Sequence, residues 1–181
     1  MIAKDISVYL SDPFTTLPQI TASEKVVEEV IVQFDKRDGI TYSLYFGDVK
    51  NQKLYAVSIY PEQSRKLPGK RLNVGLLRTF LRENSELLRD PRNCVGVWYD
   101  AEQDSTYLDV STILPEKTEA VRLGIAYNQI GIYDLERLEV VVTEGSGEEI
   151  ENLPPLSQRL PGIERSTDHG NNKRDKPGNG S

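Results

Sequence analysis

Two stretches carry the side chains best suited to chemistry, Asn93-Cys-Val-Gly-Val-Trp-Tyr-Asp100 and Thr106-Tyr-Leu-Asp-Val-Ser111. Successive side chains of a strand point to opposite faces. Trp98 and Asp100 then share a face of the first stretch, and Tyr107, Asp109 and Ser111 share a face of the second. Paired with those faces aligned, they make an aromatic and carboxylate surface, a candidate ligand or partner site. Asp109 invites a question, because a carboxylate within a strand must be solvated or hydrogen-bonded. One answer is a cation site: Asp100, Asp104 and Asp109 offer the oxygen donors that Mg²⁺ or Ca²⁺ prefers, and metal-bound water would replace a histidine base in a hydrolase. The plainer answer is a solvated turn plus an Asp109 that accepts backbone or tyrosine hydrogen bonds. Asp100-Ala-Glu-Gln-Asp104 has neither EF-hand spacing nor the glycine that such a loop needs at its bend.

Other reactive groups are few. His169 is the only histidine and Cys94 the only cysteine, which excludes a multi-His metal site and an intramolecular disulfide. Any Ser-His-Asp or Cys-His arrangement would have to recruit its imidazole from the Gly/Asn-rich end of the chain. Cys94, between Asn93 and Val95, reads as a small buried hydrophobe. Trp98 is either a stacking platform or core. Asn128-Gln129 reads as a left-handed helix C-cap followed by a strand residue. Gly69-Lys70 lacks the spacing of a phosphate loop, and GxGxxG, HExxH, CxxC and GxSxG are all missing.

Charge narrows the partners. The chain has 22 Lys+Arg against 28 Asp+Glu, net −6. Residues 151–181 hold five basic and four acidic residues, so residues 1–150 hold 17 and 24, net −7. An acidic fold argues against sequence-independent nucleic-acid binding, which rests on Lys and Arg neutralising phosphates. The opening residues lack the unbroken apolar core of a signal peptide, and no run reaches the roughly 18 to 20 apolar residues of a membrane span. A soluble, cytoplasmic protein is expected, with no membrane association.

These residues need elements to position them. At 181 residues one core is expected. Prolines 13 and 18 mark residues 1–20 as an arm or edge strand. Thr21-Ala-Ser-Glu24 has capping-box form, and Val26, Val27, Val30, Ile31 and Phe34 predict a helix over 23–36, with a strand at 30–34 as the competing reading. Strands at 41–46 and 54–60 read as a hairpin. Asn73 caps a helix predicted over 74–89, with Leu76, Leu77, Phe80, Leu81, Leu87 and Leu88 on one face. Strands at 94–99 and 105–113 form a second hairpin. Pro115 opens a further helix with Ala120, Leu123, Gly124 and Tyr127 inward, and strands at 130–133 and 138–143 close the fold. Hairpins alternating with helices imply an α+β domain over 21–150: a mainly antiparallel sheet from two hairpins plus C-terminal strands, with two to three helices packed on one face. Residues 151–181 read as a disordered polar tail, with Leu156, Leu160 and Ile163 as a possible docking segment.

Asp90-Pro-Arg-Asn93, Gly96-Val-Trp-Tyr-Asp100, Thr106-Tyr-Leu-Asp-Val-Ser111 and Asn128-Gln-Ile-Gly-Ile-Tyr-Asp134 together resemble a small domain of uncharacterised bacterial proteins, including cyanobacterial ones and some encoded by phages or mobile elements. The resemblance spans residues 74–143. It implies a compact α+β unit associated with larger polypeptides and assigns no activity or catalytic residue. The expected function is a non-catalytic protein-binding module using Trp98, Asp100, Tyr107, Asp109 and Ser111, without a cofactor. Its alternatives are the Asp100/Asp104/Asp109 hydrolase, which would need a divalent cation, and an acidic decoy that mimics nucleic acid toward a DNA-binding protein.

Overall fold

The computed structural model describes residues 24–148 and 150–160, together with Ile6. Helix α1 (Glu24–Arg37) buries Val26, Val27, Val30 and Phe34, so helical spacing prevails over the β-branching at 30–34. Asp38, at φ 59°, ends it and turns the chain into β1 (Gly39–Ser43), beside the short β2 (Gly47–Asp48). β3 (Tyr55–Ser58) and β4 (Arg65–Pro68) follow. Asn73 caps α2 (Val74–Glu83), its side-chain oxygen accepting the Leu76 N–H at 2.9 Å. β5 (Asn93–Asp100) and β6 (Ser105–Leu114) form a long hairpin, and α3 (Lys117–Ala126) leads to β7 (Gly131–Asp134) and β8 (Glu139–Val142). A single turn, α4 (Leu156–Arg159), ends the described chain.

All eight strands join one antiparallel sheet in the order β2-β1-β5-β6-β3-β7-β8. β6 is long enough to serve two partners on its far side, β4 along Ser105–Leu108 and β3 along Ser111–Leu114. The front of the sheet presents Ile40, Tyr42, Val95, Val97, Leu108 and Val110 to the helices and forms the main core with them. The expected α+β class, with helices on one face of an antiparallel sheet, is what the chain adopts.

Some expected details differ. The strand at 41–46 does not pair with 54–60: β1 and β3 are separated in the sheet by β5 and β6. Gly47, at φ 81°, turns β1 tightly onto β2 instead, and the following loop buries Val49 and Leu54 behind the sheet. The helix expected over 74–89 stops at Glu83. Buried Asn84 donates from its amide to the Phe80 carbonyl, and only a short 3₁₀ turn at Leu87–Arg89 resumes beyond it. A strand not expected from the sequence, β4, lies between the 54–60 segment and Asn73. Pro115 precedes α3 rather than opening it, since Glu116 is the N-cap.

The boundary expected at residue 150 also moves. Ile150, Leu153 and Leu160 pack against the main core. Arg159 is 6% exposed, and its guanidinium donates to both Glu62 carboxylate oxygens at 2.6 and 2.8 Å, to the Ile59 carbonyl at 3.1 Å and to the Pro154 carbonyl at 2.7 Å. Residues 150–160 therefore belong to the folded unit. The remainder of the expected tail, 161–181, and the arm other than Ile6 lie outside the described residues.

Candidate functional site

The β5–β6 register opposes Trp98 to Tyr107, Gly96 to Asp109, Cys94 to Ser111 and Asp100 to Ser105. Directly opposed residues share a face. Trp98, Asp100, Tyr107, Asp109 and Ser111 therefore all lie on the back of the sheet, away from the helices. Two arrangements follow, an aromatic platform toward the hairpin turn and a polar trench nearer the middle of the strands.

The platform is Trp98 stacked on Tyr107, with ring centroids 4.7 Å apart and planes 12° from parallel. Trp98 remains 46% exposed. Lys66 of β4 sits 5.3 Å from the Tyr107 ring centroid, and Gln103 Oε1 accepts from both Lys66 Nζ at 2.7 Å and the Tyr107 hydroxyl at 3.0 Å. Lys66 carries no local signal of this role, because nothing in the sequence marks Arg65–Pro68 as a strand, and Gln103 lies in the Asp100–Asp104 turn. Once Arg65–Pro68 is a strand, its alternation puts Lys66 and Tyr107 side by side.

The trench exists because residue 96 is glycine. A Cβ there would lie 2.6 Å from Ser111 Oγ and closer still to Asp109 Oδ1. Without it, the Asp109 carboxyl and Ser111 hydroxyl fold over the backbone, and Ser111 donates to Asp109 Oδ1 at 2.6 Å. Burial pushes the Asp109 carboxyl up, and the Ser111 hydrogen bond opposes this. Ser58 faces Ser111 across the next strand pair, and its buried hydroxyl has no hydrogen-bond partner among the described residues.

The proposed cation ligands do not converge. Asp100 caps the hairpin turn, accepting from the N–H groups of Glu102 and Gln103 at 2.9 and 3.2 Å. Asp104, at φ 44°, accepts the Tyr99 hydroxyl at 2.8 Å, and Tyr99 points to the opposite face from Trp98. Asp109 faces Gly96, four residues along the strand from Asp100 or about 13 Å. Among the described residues no three His, Cys, Asp or Glu side chains are placed to hold a metal ion. The Asp100/Asp104/Asp109 centre is thus corrected: turn formation and strand separation claim those carboxylates.

Other candidates are occupied structurally. Cys94 is fully buried, and burial pushes its thiol well above the ordinary range, which keeps it protonated. Asn128, at φ 49°, follows α3 as a left-handed residue and ties down the 146–148 segment through Ser146 and Glu148. A cleft of about 240 Å³ between α3 and the 154–159 segment is lined by Arg122 and Arg159, but Glu119 and Glu62 already pair with them.

Fold and surface together define an α+β domain with a helix-covered front and a mixed aromatic-polar back. No protein-family model, curated protein or solved structure matches the chain. Among the described residues no helix is long and apolar enough to cross a membrane.

Proposed function

We propose that this chain is a non-catalytic interaction module that binds another protein through the back of its β5–β6 hairpin. The observation that carries this reading is the half-exposed Trp98 stacked on Tyr107. A rigid aromatic pair offers large apolar area at small entropic cost, and Trp and Tyr dominate the energetically important positions of protein interfaces. Val140 and Val142 of edge strand β8 add apolar surface on the same side, at 62% and 76% exposure. Acidic side chains elsewhere are interleaved with bases: Glu24 pairs with Arg78, Asp48 with Arg37, Asp38 with Lys70 and Glu83 with Arg65. That pattern supports a protein partner over mimicry of a nucleic acid's continuous charge.

Affinity capture from native lysate at several salt concentrations, with wild type, Trp98→Ala and a Glu28→Ala control on α1, tests the reading. The expected result is a protein retained by wild type and the control and lost with Trp98→Ala. Recovery of nothing above background, or equal recovery by all three, would overturn it.

A further inference from the structure

A second apolar cluster lies behind the sheet, apart from the helix-covered core. Ala56, Cys94 and Ile113 form its floor from the back faces of β3, β5 and β6, while Val49, Leu54 and Leu135 close over it from the adjoining loops. The rim is held by two backbone hydrogen bonds, Asn51 N–H to the Leu135 carbonyl at 2.7 Å and Leu135 N–H to the Leu54 carbonyl at 3.0 Å. One member of the cluster comes from far outside these elements. Ile6 is seated there at 5% exposure. Eighteen peptide steps separate it from Glu24, a contour of about 60 Å. A domain of this length has a radius of gyration of only about 15 Å. The covalent connection therefore leaves Ile6 a choice of most of the surface, and its seat follows from apolar complementarity.

We infer that this back-face cluster is a binding site for an apolar peptide segment anchored by isoleucine, and that residues 1–20 of the same chain are its ligand in cis. The inference does not rest on the Trp98 platform, which lies four residues from Cys94 along β5. It assigns Ile6 a contact separate from the helix-covered core, releasable without opening that core. Release of Ile6 then opens the cluster that holds Cys94, which is fully buried.

Because Cys94 is the only cysteine, its alkylation rate reports whether the site is filled. Full-length wild type, Ile6→Ala and Ile6→Asp would be labelled with an uncharged maleimide under native conditions, with thermal melts recorded in parallel. Labelling of Ile6→Asp is expected to be faster by about tenfold or more, with Ile6→Ala intermediate. Excess synthetic peptide of residues 1–20 should restore slow labelling of Ile6→Asp, and the same peptide carrying Ile6→Asp should not. If Ile6→Asp fails to melt cooperatively, the comparison of Ile6→Ala with and without peptide carries the test. Wild-type labelling rates in both variants, or no protection by the wild-type peptide, would overturn the site. Concentration-dependent dimers of the wild type that vanish with Ile6→Asp would overturn the assignment in cis, placing the arm on a second copy.

Discussion

The front of the sheet offers Val95, Val97, Leu108 and Val110 to three helices, whereas the back of the same two strands offers Gly96, Trp98, Tyr107, Asp109 and Ser111. Toward its turn the hairpin thus packs a core on one side and leaves a half-exposed aromatic pair on the other. The front residues are buried and interchangeable in kind, since any well-shaped hydrophobe there contributes through transfer and packing. The back residues differ in size, charge and hydrogen bonding, and two depend on particular neighbours: Asp109 on Gly96, and Tyr107 on Trp98 and Lys66. The contrast sets the helix-covered core apart from the half-exposed Trp98–Tyr107 pair, and substitutions can test whether the proposed recognition surface is separable from that core.

The largest effect belongs to the front. Phe80 is fully buried between α2 and the sheet, and Phe80→Ala should cost about 3 to 5 kcal/mol in denaturant unfolding. Gly96→Ala probes the back from the opposite direction, by adding an atom. The new Cβ collides with Asp109 and Ser111, so about 1 to 3 kcal/mol should be lost. Combining it with Asp109→Ala and Ser111→Ala should recover much of that, and no recovery would show that the trench is not what requires glycine. Arg159→Ala should cost a similar 1 to 3 kcal/mol, because Glu62 and the Ile59 carbonyl lose their donor. Proteolysis after residue 150 should accelerate alongside. A melt identical to wild type would separate the 150–160 segment from the core.

Legibility in the sequence followed the range of the interaction. Helix α2 was readable from Asn73 and its leucine stripe, and the β5–β6 pair from period-two alternation across a turn, because all of these signals are local. That same alternation put Tyr107 and Asp109 on one face of their strand, but joining it to the face of Trp98 took the pairing register. Register with distant strands left no such trace. The Tyr42 and Tyr55 strands are close in sequence and pattern, and nothing local tells that β1 chooses β5 while β3 chooses β6 and β7. Arg65–Pro68 was hidden by its proline and charges, which suit a strand flanked on one side only. Arg159, whose partner Glu62 lies 97 residues away, had no neighbour to announce it.

Asp109→Asn gives a smaller effect with a sign fixed by pH. Burial raises the Asp109 carboxyl, so as pH climbs the unfolded chain ionises first and the folded state loses stability until the raised value is passed. Asn keeps an acceptor for Ser111 and carries no charge. The variant should melt slightly above wild type at pH 7, with the advantage gone below about pH 4. A lower melting point at pH 7 would mean that the charged form is the one the fold favours.

The separation of faces is tested most directly by measuring partner capture and melting temperature together on Trp98→Ala and Leu77→Ala. Leu77 is fully buried in the front core, whereas Trp98 is half-exposed and its stack on Tyr107 adds about 0.5 to 1.5 kcal/mol beyond its area burial. Trp98→Ala should lose capture while melting much nearer to wild type than Leu77→Ala, and Leu77→Ala should melt far lower yet retain capture at temperatures where it is folded. Capture that falls in step with stability in both variants, or that survives Trp98→Ala, would contradict the separation.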